Sequence, residues 1–205
     1  MRENIFISRY VIKLVSMLLR RVFRKLIFLG LKKIYLIEII GKENIPASKT
    51  MILLGNQQVF PVAVVLEEIL KSPIHWAVLP SLYKKNFFLN LFLKFFGCFL
   101  LNPMLPDTQG FRKAFLVLEK QRTLGFYPGK INTGVVLFSL RSGYEVLPVA
   151  TSLENSPHPS IKIVFGKTFN FSKYKDIPIN KELVDGLVKI IAHTLETLNE
   201  SSVSS

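Results

Sequence analysis

Short apolar runs that stop at glycine or asparagine alternate with segments of helical length along this chain, and that alternation constrains its fold more than any other feature. Tyr35 to Ile40 alternates and ends at Gly41, while Thr50 to Leu54 is an apolar run that ends at Gly55-Asn56; both predict strands. Val59 to Leu70 then has helical length, followed by a strand over Ile74 to Leu79, a helix over Asn86 to Phe96 and a strand over Cys98 to Leu101. Thr108 to Gln121 predicts a helix with Thr108 as its N-cap, Leu124 to Tyr127 a strand, and Gly134 to Ser142 a helix closed by Gly143. Strands over Tyr144 to Thr151 and Ile161 to Phe165 and a helix over Asn180 to Leu198 complete the pattern. The loop from Asn155 to Pro159 is rich in turn formers, so its His158 is expected in solvent.

This order predicts one α/β domain over residues 35 to 198, a central mixed sheet flanked by helices, with a separate N-terminal helix over 1 to 34 and a disordered tail over 199 to 205. At 205 residues the chain can bury a full core without disulfides or metals. Apolar types make up 49% of it, including 17 Phe, which excludes a disordered or collagen-like chain.

The charge balance is less ordinary. Lys and Arg number 27 against 14 Asp and Glu, a net +13 that calls for a polyanionic partner, either nucleic acid or an acidic membrane surface. Residues 1 to 40 hold nine of the cations against Glu3 and Glu38, a local +7. On a helical wheel Arg9, Lys13, Ser16, Arg20 and Arg24 fall within about 80° of one another, opposite Val11, Ile12, Val15, Leu18, Leu19, Val22, Phe23 and Leu26. Such a basic amphipathic helix lies in a bilayer interface, its cations each contributing about 1 kcal/mol near anionic headgroups, or else packs its apolar face on the protein's own core. Nucleic acid is disfavoured, since the cations are interleaved with Leu, Ile and Val and no stacking motif accompanies them. The expected partner is therefore anionic lipid, with Arg9, Lys13, Arg20 and Arg24 as headgroup contacts. The run Phe87, Phe88, Phe92, Phe95 and Phe96 is either a membrane-dipping edge, the wall of a lipid groove or ordinary core.

Cys98 is the only cysteine, so no internal disulfide forms and the chain suits a reducing compartment. Arg9, Lys13, Arg20 and Arg21 interrupt every N-terminal apolar run, which argues against a signal peptide, and Lys94 breaks the one long apolar run from Phe87 to Leu101. The expected location is peripheral, on the cytoplasmic membrane face. Three isolated histidines show no metal-ligand spacing and no Gly-rich phosphate loop is present, so neither a metal nor another cofactor is expected. His75 in its apolar strand and His193 on the last helix read as structural or surface residues, and Cys98 among phenylalanines as an inert thiol.

Several landmarks occur in a familiar order: Gly41-Lys42-Glu43-Asn44-Ile45-Pro46, Met51 to Leu54 ending in Asn56, Leu82-Tyr83-Lys84-Lys85, Gly97 before a short strand, and Val146-Leu147-Pro148-Val149-Ala150. Over residues 35 to 170 the chain resembles the glycerolipid acyltransferases that make phosphatidic acid from lysophosphatidic acid. The resemblance implies acyl transfer from a thioester, acyl-CoA or acyl carrier protein, to a lysophospholipid. It also implies the motif Asn-His-x4-Asp, whose histidine is the general base and whose aspartate orients it.

Here Asn56 matches, but the histidine falls at Gln57 and the aspartate at Val62. A carboxamide has no proton-accepting nitrogen and valine cannot orient one, so no catalytic residue is intact. The family's phosphate-gripping arginine, placed after Gly97 and a strand, falls at Asn102, and its Phe-Pro-Glu-Gly-Thr-Arg block is Phe126-Tyr127-Pro128-Gly129-Lys130-Ile131, without the glutamate. Asn56, Gly97, Asn102, Gly129 and Lys130 are the substrate-binding positions the resemblance leaves. General-base catalysis alone is worth about 10²- to 10⁴-fold, so the expected protein is a catalytically impaired acyltransferase relative that keeps a lipid groove. Its alternatives are an active phospholipid or glycerol acyltransferase with a non-standard site, and a regulatory partner of an active homologue.

Overall fold

The computed structural model of the protein describes residues 2–48, 50–56, 60–78, 87–101, 108–127, 132–155, 157–174 and 176–203. Helix α1 (Arg2–Ile34) leads into strand β1 (Leu36–Ile40), followed by β2 (Ile52–Gly55), α2 (Phe60–Ile69), β3 (Ile74–Val78), α3 (Phe87–Phe95) and β4 (Phe99–Leu100). Then come α4 (Thr108–Glu119), β5 (Thr123–Phe126), α5 (Asn132–Ser142), β6 (Val146–Glu154), β7 (Ser160–Phe165) and α6 (Lys181–Val203). The strands form one mixed sheet in the order β1-β7-β6-β2-β5-β3-β4. Every neighbouring pair is parallel except β6 and β7.

The central strand β2 explains why the sheet is covered on both sides. All four of its residues are buried, and successive side chains leave opposite faces. Ile52 and Leu54 join a cluster with Leu118 of α4, Phe138 of α5 and Leu187 and Ile191 of α6. Leu53 joins the other cluster, with Val62, Val65 and Leu66 of α2, and Phe28 and Leu31 of α1 pack against it. The parallel strands β2 through β5 are joined by helices, as parallel pairing requires.

Two turns show how the chain passes from helix to strand. At the end of α3, Gly97 is left-handed (φ 73°), its N–H bonds Lys94 O and that of Cys98 bonds Leu93 O. At the end of α4, Gln121 is left-handed (φ 53°) with the same pair of bonds, to Leu118 O and from Arg122 to Val117 O. Both are Schellman closures, and each delivers the chain to the start of a parallel strand.

The tail differs from its sequence expectation. Instead of fraying from residue 199, α6 continues to Val203, with Ser202 only 2% exposed. The cause lies in β6, which runs to Glu154 rather than ending at Thr151; its Ser152 hydroxyl donates to Ser202 O at 3.1 Å and ties down the last helical turn.

Candidate functional site

In a parallel sheet the strands' carboxyl ends gather on one edge, where open α/β folds place their ligands. Asn56 follows the end of β2, and the segments carrying Gln57, Asn102, Gly129 and Lys130 follow β2, β4 and β5. Those four positions lie outside the described residues. Gly97 precedes β4 and therefore stands at the opposite edge from Asn56, so the structure does not bring these two together.

Asn56 is a clasp. Its Oδ1 accepts from the Thr151 N–H (2.9 Å) and hydroxyl (3.0 Å), while Nδ2 donates to Thr151 O (3.1 Å) and Asn199 Oδ1 (2.8 Å). Two acceptor positions and two donors are thereby satisfied, and the side chain locks β2 to β6 and α6.

Val62 stands in the first turn of α2 with no exposed surface, inside the cluster that contains Leu66, Trp76 and Tyr127. Around it the core is aromatic. Trp76 and Tyr127 stack at 4.4 Å between ring centroids, at an angle of 13°. Glycine at position 125 makes room for this stack, since a Cβ there would collide with the indole. Burial pushes the Tyr127 phenol far above its usual range, so it stays protonated at any physiological pH. Where the resemblance expects an orienting carboxylate, the structure has a buried apolar and aromatic cluster.

The remaining reactive groups are also occupied. His75 Nδ1 is 3.0 Å from Gly97 O and its Nε2 is 3.3 Å from Arg122 Nη1. Burial, reinforced by Arg20, Arg122 and Lys120, lowers its pKa to about 4, against the pull of its bond to Gly97. Burial pushes the Cys98 thiol up to about 11, so no thiolate forms near neutrality. His193 and His158 are exposed. No group of three or more His, Cys, Asp or Glu that could hold a metal occurs among the described residues.

Helix α1 departs from expectation in orientation. Arg20 and Arg24 turn inward: Arg20 meets Glu67 at 2.9 Å, and Arg24 meets Glu67 at 3.6 Å and Glu68 at 3.2 Å. The cause is the acidic pair on α2, of which Glu67 is 2% exposed and also accepts the Ile74 N–H at 3.1 Å. Burial outweighs these partners and holds the Glu67 carboxyl above its usual range. The opposite, apolar face is left uncovered, with Leu19 and Val22 each 57% exposed and Leu26 61%. It continues onto α3 through Phe23, whose ring meets Phe95 edge-on at 6.3 Å, and ends at Phe87, 74% exposed. Exposed Arg21, Lys25 and Lys32 flank it. The side chains of Arg9, Lys13, Phe88 and Phe92 lie outside the described ones. Among the described residues no helix is long and apolar enough to cross a membrane.

The chain is similar in structure to the 1-acyl-sn-glycerophosphate (LPA) acyltransferase PlsC from Thermotoga maritima, with a TM-score of 0.57 over 87% of this chain and 80% of that one, at 17% identity. That likeness establishes the fold. It is the fold that the sequence resemblance implies, and its neighbour carries the activity that the resemblance names. No protein-family model matches the chain, and no curated protein sequence does.

One feature of the structure escaped the sequence reading. Arg20, Arg21, Arg24, Lys71, His75 and Arg122, with Glu68 of α2 as the one acid among them, wall a single cavity at the edge where the parallel strands begin. Only folding assembles them, since they come from α1, α2 and the turn after it, and the residues around the starts of β3 and β5. A sequence signal existed in hindsight: Lys71, Lys120 and Arg122 all sit at helix-to-strand turns on that edge.

Proposed function

We propose that the protein is a membrane-peripheral relative of the lysophosphatidic acid acyltransferases whose own acyl-transfer chemistry is impaired and whose retained role is lipid binding. The observation that carries this reading is Val62. The position that the sequence resemblance assigns to the orienting acid, Val62, is fully buried, in one cluster with Leu66, Trp76 and Tyr127. Replacement at an open site would leave a gap that a neighbour or water could serve; a packed apolar cluster leaves no place for an ionised group. The base position carries glutamine, which cannot take a proton at neutral pH.

The membrane half of the reading is supported by the uncovered face of α1. A solvated helix in a folded protein ordinarily buries its apolar stripe; here the acidic pair Glu67 and Glu68 draws the cationic side inward and leaves the stripe outside. With Arg21, Lys25 and Lys32 beside it, this surface fits the boundary between acyl chains and anionic headgroups.

Two measurements test the proposal. Purified protein given acyl-CoA and lysophosphatidate is expected to turn over at least about 10²-fold more slowly than an active relative. A rate near that of the relative overturns the impaired-site reading and favours a non-standard enzyme. In liposome flotation, Leu19→Glu with Val22→Glu is expected to abolish binding to anionic vesicles, and unchanged binding removes α1 as the docking face.

A further inference from the structure

We propose a second, separate site on this protein: a phosphate-binding cleft at the edge of the sheet where the parallel strands begin, opposite the edge that holds Asn56. It does not depend on the acyl-transfer reading. Two adjoining cavities of about 330 and 250 Å3 meet there, sharing His75 and Arg122. Helix α1 and the turn after α2 wall the first through Arg20, Arg21, Arg24 and Lys71, beside one carboxylate, Glu68 of α2, which Arg24 already pairs, while Arg20 pairs with Glu67. Helix α4 walls the second through Lys113, and the turn that follows it through Lys120.

Five of these cations, Arg21, Lys71, Lys113, Lys120 and Arg122, have no carboxylate partner among the described residues. Like charges gathered in a partly enclosed space repel one another more than they would on an open surface. Among the described residues the one carboxylate lining the two cavities, Glu68, is engaged by Arg24, so an anion from outside would relieve the repulsion among the rest. The way Arg122 is held supports this. His75 Nδ1–H donates to Gly97 O, which leaves Nε2 to accept from Arg122 Nη1, so the guanidinium is oriented by a neutral acceptor and its charge is not cancelled. Lys71 adds to the case, because it occupies a left-handed position (φ 50°) that a glycine would fill at less conformational cost.

The fitting ligand is compact and multiply charged. A phosphate monoester or diphosphate offers several acceptor oxygens to two guanidiniums and three ammoniums, whereas a lone carboxylate would leave most of them unanswered. The same chemistry reaches the cleft from two sources, a soluble diphosphate or the headgroup of a phosphatidate-type lipid.

The test uses the full chain, inorganic pyrophosphate by isothermal titration, and flotation on phosphatidylcholine vesicles carrying phosphatidate or phosphatidylglycerol at matched surface charge. The site variant is Arg122→Gln with Lys71→Gln; glutamine at 122 retains an N–H for His75. The control, Lys181→Gln with Lys189→Gln, removes the same charge from exposed positions on α6. Pyrophosphate binding that the site variant weakens at least about tenfold and the control leaves within about twofold supports a soluble ligand. No pyrophosphate binding, but a preference for phosphatidate vesicles that only the site variant loses, supports the lipid headgroup. Equal effects of both variants, or no binding and no preference in the unaltered protein, overturn the proposal. Should the site variant fail to fold, Lys113→Gln with Lys120→Gln, at exposed positions on α4 and in the turn after it, takes its place, with the same outcomes.

Discussion

Val62→Asp is the substitution that separates a latent acyltransferase from a fold that has closed over its site. It restores the family's carboxylate to the position the resemblance assigns to it. In the structure that position is fully buried among Val65, Leu66, Trp76 and Tyr127, so the new group enters hydrocarbon and aromatic surface. Loss of the isopropyl contacts costs about 1.5 kcal/mol, and an unpartnered carboxyl in such surroundings costs about 3 kcal/mol more, either as desolvation or as the work of keeping it protonated. The expected destabilisation is therefore about 4 to 5 kcal/mol, a large fraction of a domain's usual 5 to 15, measured by urea unfolding at pH 8. Val62→Ala, which loses packing alone, should cost about 2 kcal/mol.

The sign of the pH dependence is fixed by the same argument. Burial raises the folded-state pKa of the new carboxyl above its unfolded value of about 4, so the folded protein binds more protons in that window. Relative to the unaltered protein, the penalty shrinks as pH falls toward about 4 and grows as pH rises. Pairing Gln57→His with Val62→Asp is expected to give no gain in acyl transfer. A Val62→Asp protein within about 1 kcal/mol of the original, or a double variant that turns over substrate, would refute the filled-core reasoning.

Three further outcomes are expected. His75 is neutral in the fold, with its pKa lowered to about 4 from 6.5; the unfolded chain binds the extra proton first, so stability is complete above about pH 6.5 and falls by up to about 3 kcal/mol as pH drops through 4. His75→Asn should flatten that stretch of the urea-midpoint profile, and an unchanged profile would remove His75 as its source. Asn56→Ala breaks four hydrogen bonds and should cost about 2 to 3 kcal/mol, whereas Asn199→Ala, which removes one, should cost about 1. Glu67→Ala strands Arg20 and leaves Arg24 with Glu68 alone, and should cost about 3 to 5 kcal/mol, with earlier proteolytic cleavage between α1 and β1; cleavage at the original rate would show that Phe28, Leu31 and the Arg24–Glu68 pair hold α1 without Glu67.

Much of the fold was legible because the relevant signals are local. The alternation of apolar runs with helical segments located all seven strands to within a few residues, since a strand buried on both faces, such as Ile52–Gly55, must be apolar throughout. Inertness of Cys98 was legible for the same reason, its phenylalanine neighbours being next to it in the chain. Boundaries set by partners from afar were not legible: α6 reaches Val203 because Ser152 of β6 meets Ser202 O, a contact between residues fifty positions apart.

The sequence by itself determined the α/β pattern, the excess of positive charge and the absence of a histidine and an aspartate at positions 57 and 62. Residue identity and spacing carry those facts wherever the chain goes. Tertiary structure alone decided what they mean. It made Val62 a core residue, turned Arg20 and Arg24 onto Glu67 and Glu68 so that the apolar face of α1 stayed outside, and gathered Lys71, Lys113, Lys120 and Arg122 around one cleft. The physical reason is common to all three: burial and charge pairing depend on distances between elements that the chain brings together only when the sheet closes, and no periodicity along the sequence encodes which face of a helix meets an acid on its neighbour.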